Sequence, residues 1–151
     1  MLTLTSKNAI RAMIFLGCRA ENGPFSPRFV ASELGLSPTY TAKIFQMLTR
    51  ANLLKAQRGV MGGVQLAAPA EQITVRAIVE ACQGVLVGDY CQETKALRST
   101  CAFHQAMAEV HQALTGVLER WTLADLVKKP CPNPQILNPE TCTMCIPPAS
   151  Q

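Results

Sequence analysis

The chain has 151 residues, of which 48% are hydrophobic, 16% charged and 5% aromatic, so it is long enough for one globular domain with an appendage and is not disordered. Its net charge of +4 is uneven, because residues 1–70 carry eight basic and two acidic side chains (+6) whereas residues 71–151 carry six and eight (−2). A basic half beside a mildly acidic half favours a polyanion-binding domain joined to a second unit, although a solvated surface would explain any single charge.

The first third of the sequence predicts three short helices. Apolar residues recur at intervals of three and four over residues 6–20, and Glu-Asn-Gly at 21–23 ends that helix. A second helix is predicted over residues 27–34. A third begins after Ser37, a residue suited to the N-cap, with Pro38 at the first helical position. Three short helices with a glycine-containing turn between the second and third are typical of a helix-turn-helix.

Two strand-like runs follow, at residues 53–57 and 63–66, and the glycine-rich tip between them indicates a β-hairpin, here the wing of a winged helix. Residues 72–84 predict a fourth helix. Residues 101–128 predict a long one, whose apolar residues fall at alternating intervals of four and three, as in a coiled-coil interface. This stripe contains Phe103, Met107, Val110, Leu114, Val117 and Trp121.

These elements predict a mainly α fold. Residues 1–84 form a winged helix-turn-helix domain with a small β-hairpin wing, and residues 101–128 form a long C-terminal helix. Residues 85–100 connect the two as an irregular loop, and residues 129–151, rich in proline and cysteine, form an irregular tail. No run reaches the roughly 18 consecutive apolar residues of a membrane span, and the N-terminus has no signal-peptide pattern. We therefore expect a cytoplasmic protein without a membrane partner.

The third helix and the wing are the candidate DNA-reading elements. If the apolar residues of the third helix face the core, then Tyr40, Lys43, Met47 and Arg50 line the opposite face. Hydroxyl groups near the helix N-terminus suit phosphate, and an arginine at the wing tip suits a minor groove. The candidate DNA-binding residues are Arg28, Ser37, Thr39, Tyr40, Thr41, Lys43, Arg50, Arg58 and Gly59.

Seven cysteines are many for a chain without an export signal. In a reducing compartment they indicate metal ligands or redox thiols rather than disulfides. Cys18 and Cys82 lie in apolar helical patterns and are expected in the core. The tail contributes further metal or redox candidates, namely Cys131, Cys142 and Cys145.

Three blocks of the chain resemble one family. They are TSKNAIRAMIFLG, SPTYTAKIFQMLTRANLL and KAQRGVMGGVQLAAPAEQITVRAIVEACQG, which look like successive blocks of the IscR/NsrR-type winged-helix transcription regulators. The Arg-Gly-x-x-Gly-Gly wing at residues 58–63 is the most specific motif, whereas Thr41 stands where the family often has leucine. The resemblance covers roughly residues 3–115. It implies a regulator, not an enzyme: a homodimer formed through the long helix that binds a roughly palindromic operator in double-stranded DNA.

The resemblance also implies an iron–sulfur cluster, with a 2Fe–2S cluster favoured over a 4Fe–4S cluster. In cluster-bearing members three cysteines precede the long helix; here Cys91 and Cys101 match the outer positions, and His104 supplies an imidazole. The middle cysteine is missing, and Lys7 stands where some members carry a ligand aspartate. The site is therefore one ligand short, and Glu93, a partner chain or a tail cysteine would complete it. Such a cluster would set operator affinity in response to redox state, nitric oxide or iron–sulfur status.

Three alternatives compete with this interpretation. A regulator of the same type could hold zinc, switch through its thiols or carry no cofactor. A small thiol oxidoreductase would use Cys142 and Cys145, although this pair does not begin a helix that would lower a thiol pKa. A protein-interaction adaptor would use the winged helix without binding duplex DNA in a salt-dependent way.

Overall fold

The computed structural model describes residues 2–59, 62–86, 101–131 and 142–146. Its elements are, in chain order, α1 (Leu4–Cys18), α2 (Pro27–Leu34), α3 (Pro38–Arg50), β1 (Leu54–Gln57), β2 (Gly63–Leu66), α4 (Val75–Gln83), α5 (Ala102–Arg120) and α6 (Leu123–Lys128). The predicted mainly α fold with a β-hairpin wing is confirmed. Cys91, Glu93 and most of the predicted loop at 85–100 lie outside the described residues. None of the helices within the described ranges is long and apolar enough to cross a membrane.

Both helices of the helix-turn-helix begin at a serine cap. Ser26 Oγ accepts a hydrogen bond from the Phe29 N–H at 3.2 Å, and Ser37 Oγ accepts one from the Tyr40 N–H at 3.3 Å. In each helix proline occupies the first turn, where its missing N–H costs nothing. Gly35 ends α2 in the left-handed conformation, with φ of 66°, which glycine adopts without steric cost. These caps and the short turn set the direction of α3.

The core is built around α1, which packs against α2, α3, α4, α6 and strand β2. At its start, Gln83 Oε1 accepts hydrogen bonds from the Thr3 N–H at 3.0 Å and the Ser6 hydroxyl at 2.7 Å, so the end of α4 is held against the start of α1. The largest fully buried side chains come from α1, α2, α3, β1, α4, α6, the segment before α4 and the tail: Phe15, Met13, Leu16, Ile44, Leu48, Leu54, Ile73, Ile78, Leu123, Ile146, Val30 and Val79.

The wing is a two-stranded antiparallel hairpin that is attached to the chain segment before α2. Phe25 and Val64 exchange backbone hydrogen bonds of 3.0 and 2.9 Å. A Cβ atom at Gly63 would collide with the Phe25 backbone, so this close approach requires glycine. At the tip, Gly59 has φ of 115°, a conformation that side chains rarely adopt. Two glycines of the Arg-Gly-x-x-Gly-Gly motif are thus explained by backbone geometry.

The single helix predicted over residues 101–128 is wrong, because the structure contains two helices there. Trp121 has an extended backbone, with φ of −87° and ψ of 126°, between α5 and α6. The cause is a capping box: Thr122 Oγ1 accepts from the Asp125 N–H at 3.3 Å, and the Asp125 carboxylate accepts from the Thr122 N–H at 3.0 Å. A well-capped new helix therefore begins where the apolar periodicity alone predicts continuation.

The corner between α5 and α6 is anchored to the start of α4. The Val75 N–H donates to the Trp121 carbonyl at 2.9 Å, and the Leu123 N–H donates to the Ile73 carbonyl at 2.7 Å. These bonds satisfy backbone groups that the interruption of the helix leaves without helical partners. The C-terminal end of α5 is consequently fixed to the winged-helix domain.

Candidate DNA interface and cysteine site

The outward face of α3 consists of Thr39, Lys43, Gln46 and Arg50, all of which are exposed. The buried residues on the opposite face are Thr41, Ile44, Phe45 and Leu48. The buried positions are spaced by three, one and three residues. The four exposed positions are spaced by four, three and four residues, which places them together on the opposite face of the helix. This face carries two cations, an amide and a hydroxyl, which are groups able to donate to phosphates and base edges.

Three residues expected near this face lie elsewhere. Thr41 is fully buried, and its hydroxyl donates to a carbonyl of the preceding turn at 3.1 Å, so the prediction that it faces DNA is wrong. Tyr40 is half-buried against the core, and its hydroxyl donates to Thr5 Oγ1 at 3.2 Å. Met47 is also half-buried against the core. The sequence interpretation missed Gln46. If Thr41 is counted among the inward positions, the outward face shifts and includes Gln46.

The remaining candidate DNA-binding residues lie on the surface. Arg28 is exposed in the first turn of α2, and Arg58 and Gly59 are exposed where the wing leaves β1. Ser37 is exposed, and its hydroxyl is the cap of α3, which leaves Thr39 as the exposed hydroxyl in the first turn of that helix. The surface therefore presents cations on α2, α3 and the wing.

Cys101 and His104 form a contact at the N-terminus of α5. Cys101 is the N-cap residue, and its Sγ lies 2.8 Å from His104 Nδ1. Hydrogen bonds from the His104 backbone and then from its imidazole hold the pKa of the exposed Cys101 thiol below its ordinary value. The partial positive charge of the helix N-terminus also favours a thiolate. The pair is thus a thiol–imidazole contact with an exposed thiol.

The two donors fit part of the ligand set of an iron–sulfur cluster. Thiolate sulfur and imidazole nitrogen are both cluster ligands, and here an exposed cysteine and a half-buried histidine lie side by side at one helix end. Of the three predicted ligands, Cys101 and His104 are brought together, whereas Cys91 lies outside the described residues. Within the described ranges, no three His, Cys, Asp or Glu side chains lie close enough to hold a metal ion.

The tail cysteines do not form the expected set. Cys131 and Cys145 are joined in a disulfide with a Cα–Cα distance of 4.6 Å, and Cys142 is a free, half-buried thiol. The expectation that these two cysteines are not in a disulfide is therefore wrong, whereas a redox role for the pair stays a prediction. A turn in which the Cys145 N–H donates to the Cys142 carbonyl at 3.1 Å, with Ile146 buried beyond it, directs Cys145 toward Cys131.

The two cysteines expected in the core differ from each other. Cys18 ends α1 and is exposed, so the expectation of a core residue is wrong there. Cys82 is half-buried on α4, and burial raises the pKa of its thiol to about 11. Cys82 is therefore a protonated thiol at neutral pH.

The apolar stripe on α5 is exposed. Its exposed fractions are 64% for Phe103, 44% for Val110, 41% for Leu114, 45% for Val117 and 48% for Trp121. Scattered apolar residues are normal on a surface, but a continuous stripe at coiled-coil spacing indicates an interaction surface.

The sequence of this chain is similar to a known protein family and to a known relative. A family model described as Rrf2, an iron-dependent transcriptional regulator, matches residues 2–129. A putative HTH-type transcriptional regulator, ORF2, from Azotobacter vinelandii is 31% identical over 134 residues, which cover 85% of this chain and 79% of the relative.

Two solved structures are similar over most of their length. CymR (YrzC), the global cysteine regulator of B. subtilis, is 25% identical with a TM-score of 0.69, and the match covers 85% of this chain and 96% of CymR. IscR from T. potens is 27% identical with a TM-score of 0.68, and the match covers 85% of this chain and 86% of IscR.

Proposed function

The chain belongs to the Rrf2 family of transcriptional regulators, and from this membership we propose that it is a homodimer whose affinity for a roughly palindromic operator depends on an iron–sulfur cluster held in part by Cys101 and His104. As a member of the family it is a DNA-binding regulator and not an enzyme. The contact between Cys101 Sγ and His104 Nδ1 is the observation that carries the cluster proposal.

DNA binding is assigned to the exposed face of α3 and to the wing. Lys43 and Arg50 donate to phosphates or base edges, and Gln46 lies between them on the same face. Arg58 reaches the neighbouring groove from the wing. The glycines of the wing have no side chains, so its backbone can approach the DNA closely. Tyr40 has a supporting role, because its hydroxyl joins α3 to α1.

Dimerisation is assigned to α5. Its exposed apolar stripe is covered when two copies of the helix pack together, and a twofold pair of α3 helices then matches two operator half-sites. The backbone hydrogen bonds at Trp121 and Leu123 fix each α5 to its own winged-helix domain, so a movement of α5 also moves that domain.

The cluster is assigned to the N-terminus of α5. Cys101 and His104 would hold it together with Cys91, and a fourth ligand would come from a residue still to be identified. Such a cluster supplies one-electron redox chemistry and reactivity toward oxidants and nitric oxide. The lowered pKa of Cys101 favours iron binding, because metal binding needs the deprotonated thiol. The family description, iron-dependent, also supports this assignment.

The test is the iron and acid-labile sulfide content of protein purified without oxygen, with its visible absorption spectrum. We expect equal iron and sulfide in the wild type, a large loss in Cys101→Ala and His104→Ala, and no loss in the matched control Cys18→Ala, which removes an exposed cysteine at the end of α1. A wild type that is colourless and free of iron, although it binds duplex DNA, contradicts the cluster and leaves the regulator assignment intact.

A second candidate is a thiol switch without a cluster. The lowered pKa and the exposure of Cys101 favour it, because oxidants react with the thiolate. It predicts an iron-free protein whose DNA affinity changes when peroxide converts Cys101 to a sulfenic acid, and it predicts no such change in Cys101→Ala. A zinc assay of the same iron-free sample distinguishes a zinc site from the iron–sulfur cluster and from the thiol switch.

A further inference from the structure

Residues 142–146, the described part of the C-terminal tail beyond Cys131, pack onto the core. Ile146 is 2% exposed and belongs to the core cluster, and Met144 packs against that cluster. The Ile146 N–H donates to the Pro130 carbonyl at 3.3 Å, which aligns residues 142–146 with the chain that leaves α6.

One covalent bond closes this segment onto the end of α6. Cys131 follows α6 by three residues and is bonded to Cys145, the neighbour of Ile146. The segment itself forms no helix or strand, so regular secondary structure does not hold it in place. Ring closure removes many of the conformations available to a detached tail and thereby favours the docked one.

The disulfide is accessible to a small reductant. Cys131 and Cys145 are both only half-buried. Cys131 and the free Cys142 line an open apolar cavity of about 980 Å³ that Ile14, Val75 and Leu126 of three core helices also line. A disulfide that solvent can reach exchanges with external thiols, whereas a fully buried one resists them.

We propose that the Cys131–Cys145 disulfide is a redox clasp, which holds Ile146 in the core when oxidised and releases residues 142–146 when reduced. A dithiol supplies two electrons and two protons: the S–S bond breaks, two S–H bonds form, and the reductant becomes a cyclic disulfide. Release of residues 142–146 removes the buried Ile146 side chain from the core and takes Cys142 and Met144 away from the lining of the apolar cavity.

The effect of the clasp reaches the DNA-reading half through α6 and α1. Val127 packs so closely on α1 that a Cβ atom at Gly17 would lie 2.7 Å from Val127 Cγ2. Tyr40 joins α1 to α3 through its hydrogen bond to Thr5. Opening the clasp therefore lowers the stability of the winged-helix domain without using the Cys101 and His104 pair.

The experiment is hydrogen exchange with mass spectrometry on the full chain, before and after treatment with dithiothreitol. We expect the Cys145 and Ile146 amides to exchange at least about tenfold faster after reduction, and reoxidation to restore their protection. Cys145→Ser should exchange fast under both conditions. The matched control Cys142→Ser should respond as the wild type does, because Cys142 is outside the disulfide.

Three results overturn the proposal. The first is a peptide map of the oxidised protein without the Cys131–Cys145 linkage. The second is exchange at both amides that reduction leaves unchanged. The third is a wild type that contains iron and a Cys145→Ser variant that has lost it, since that result makes Cys145 a cluster ligand. Equal iron in the two proteins supports a clasp that is separate from the cluster.

Discussion

At the scale of single residues, Cys101 and Cys82 should differ sharply in reactivity. Alkylation requires the thiolate, and the pKa of Cys101 is lowered whereas that of Cys82 is raised to about 11. In reduced, cluster-free protein at pH 7 we expect iodoacetamide to modify Cys101 well before Cys82, as measured by peptide mass spectrometry.

The histidine can be tested in the same assay. Replacing His104 with alanine removes the imidazole hydrogen bond but keeps the backbone one, so the pKa of Cys101 should rise only part of the way to its ordinary value. The midpoint of the rate–pH profile then moves to higher pH, and alkylation at pH 7 slows. His111→Ala on the same helix is the matched control and should leave the midpoint unchanged. An unchanged midpoint in His104→Ala contradicts the contact.

Arg50 should contribute to DNA affinity through charge. For a mixed-sequence duplex, Arg50→Ala should weaken binding and reduce the slope of log affinity against log salt by about 0.9, the value for one lost phosphate contact. Fluorescence anisotropy over a salt series measures both quantities. Lys129→Ala removes an exposed cation beyond α6 and should leave the slope unchanged. Equal slopes for Arg50→Ala and the wild type would remove Arg50 from the interface.

Residue spacing predicted part of the site. Cys101 and His104 are three apart at a helix start, and such positions share a face, so their contact could be foreseen. Thr41 shows the limit: a hydroxyl at a helix start suggests DNA binding, but its position relative to Ile44 and Leu48 places it inward. The polarity of Thr41 predicts an exposed residue, whereas the helical periodicity predicts a buried one. The periodicity is correct, because burying the apolar face stabilises the fold and the Thr41 hydroxyl is satisfied by a hydrogen bond within the helix.

At the scale of elements, the wing depends on Gly63. Gly63→Ala pushes a Cβ atom into the Phe25 backbone, so it should lower the free energy of unfolding by roughly 1–3 kcal/mol, as overpacking does. Urea denaturation measures the change. Gly116→Ala is the matched control: its Cβ meets nothing within 4 Å, and alanine in a helix interior is more favourable than glycine by up to about 1 kcal/mol. Identical urea midpoints for Gly63→Ala and the wild type would mean that Phe25 and the wing are not held together.

Elements with clear local signals were predicted well. The second helix, 27–34, and the second strand, 63–66, have the predicted bounds, since proline, glycine and serine mark their ends. The break at Trp121 was missed because Leu114, Val117 and Trp121 keep their apolar spacing up to the break itself. The Thr122 and Asp125 capping box was the available signal, and it outweighs the periodicity once backbone bonds from α4 hold the corner.

At the scale of the whole molecule, the α5 stripe should determine the oligomeric state. Leu114→Glu places a charge in the centre of the stripe, and the cost of burying an unpaired carboxylate should convert a dimer to a monomer. Light scattering should then give half the wild-type mass, and binding to paired half-sites should be lost. Gln112→Glu adds the same charge on the opposite side of α5 and should remain dimeric. An unchanged mass for Leu114→Glu contradicts the assignment of the interface.

Long-range pairing of the chain was the least predictable feature. Cysteine spacing does not specify which thiols meet, and the Cys131–Cys145 bond occurs together with the burial of Ile146 among core residues far away in sequence. The same applies to Gln83, whose amide oxygen joins the start of α1 to the end of α4. Such contacts depend on the assembled fold and leave no periodic signal.

If the exposed stripe pairs two chains as proposed, the abundance of the protein becomes an input to regulation. While most copies are single chains, mass action makes the amount of paired chains grow with the square of the chain concentration. A twofold change in expression would then change operator occupancy by up to about fourfold at low occupancy. Under that proposal, expression of a controlled gene would depend on the number of copies of the protein in the cell, in addition to any signal that acts at Cys101.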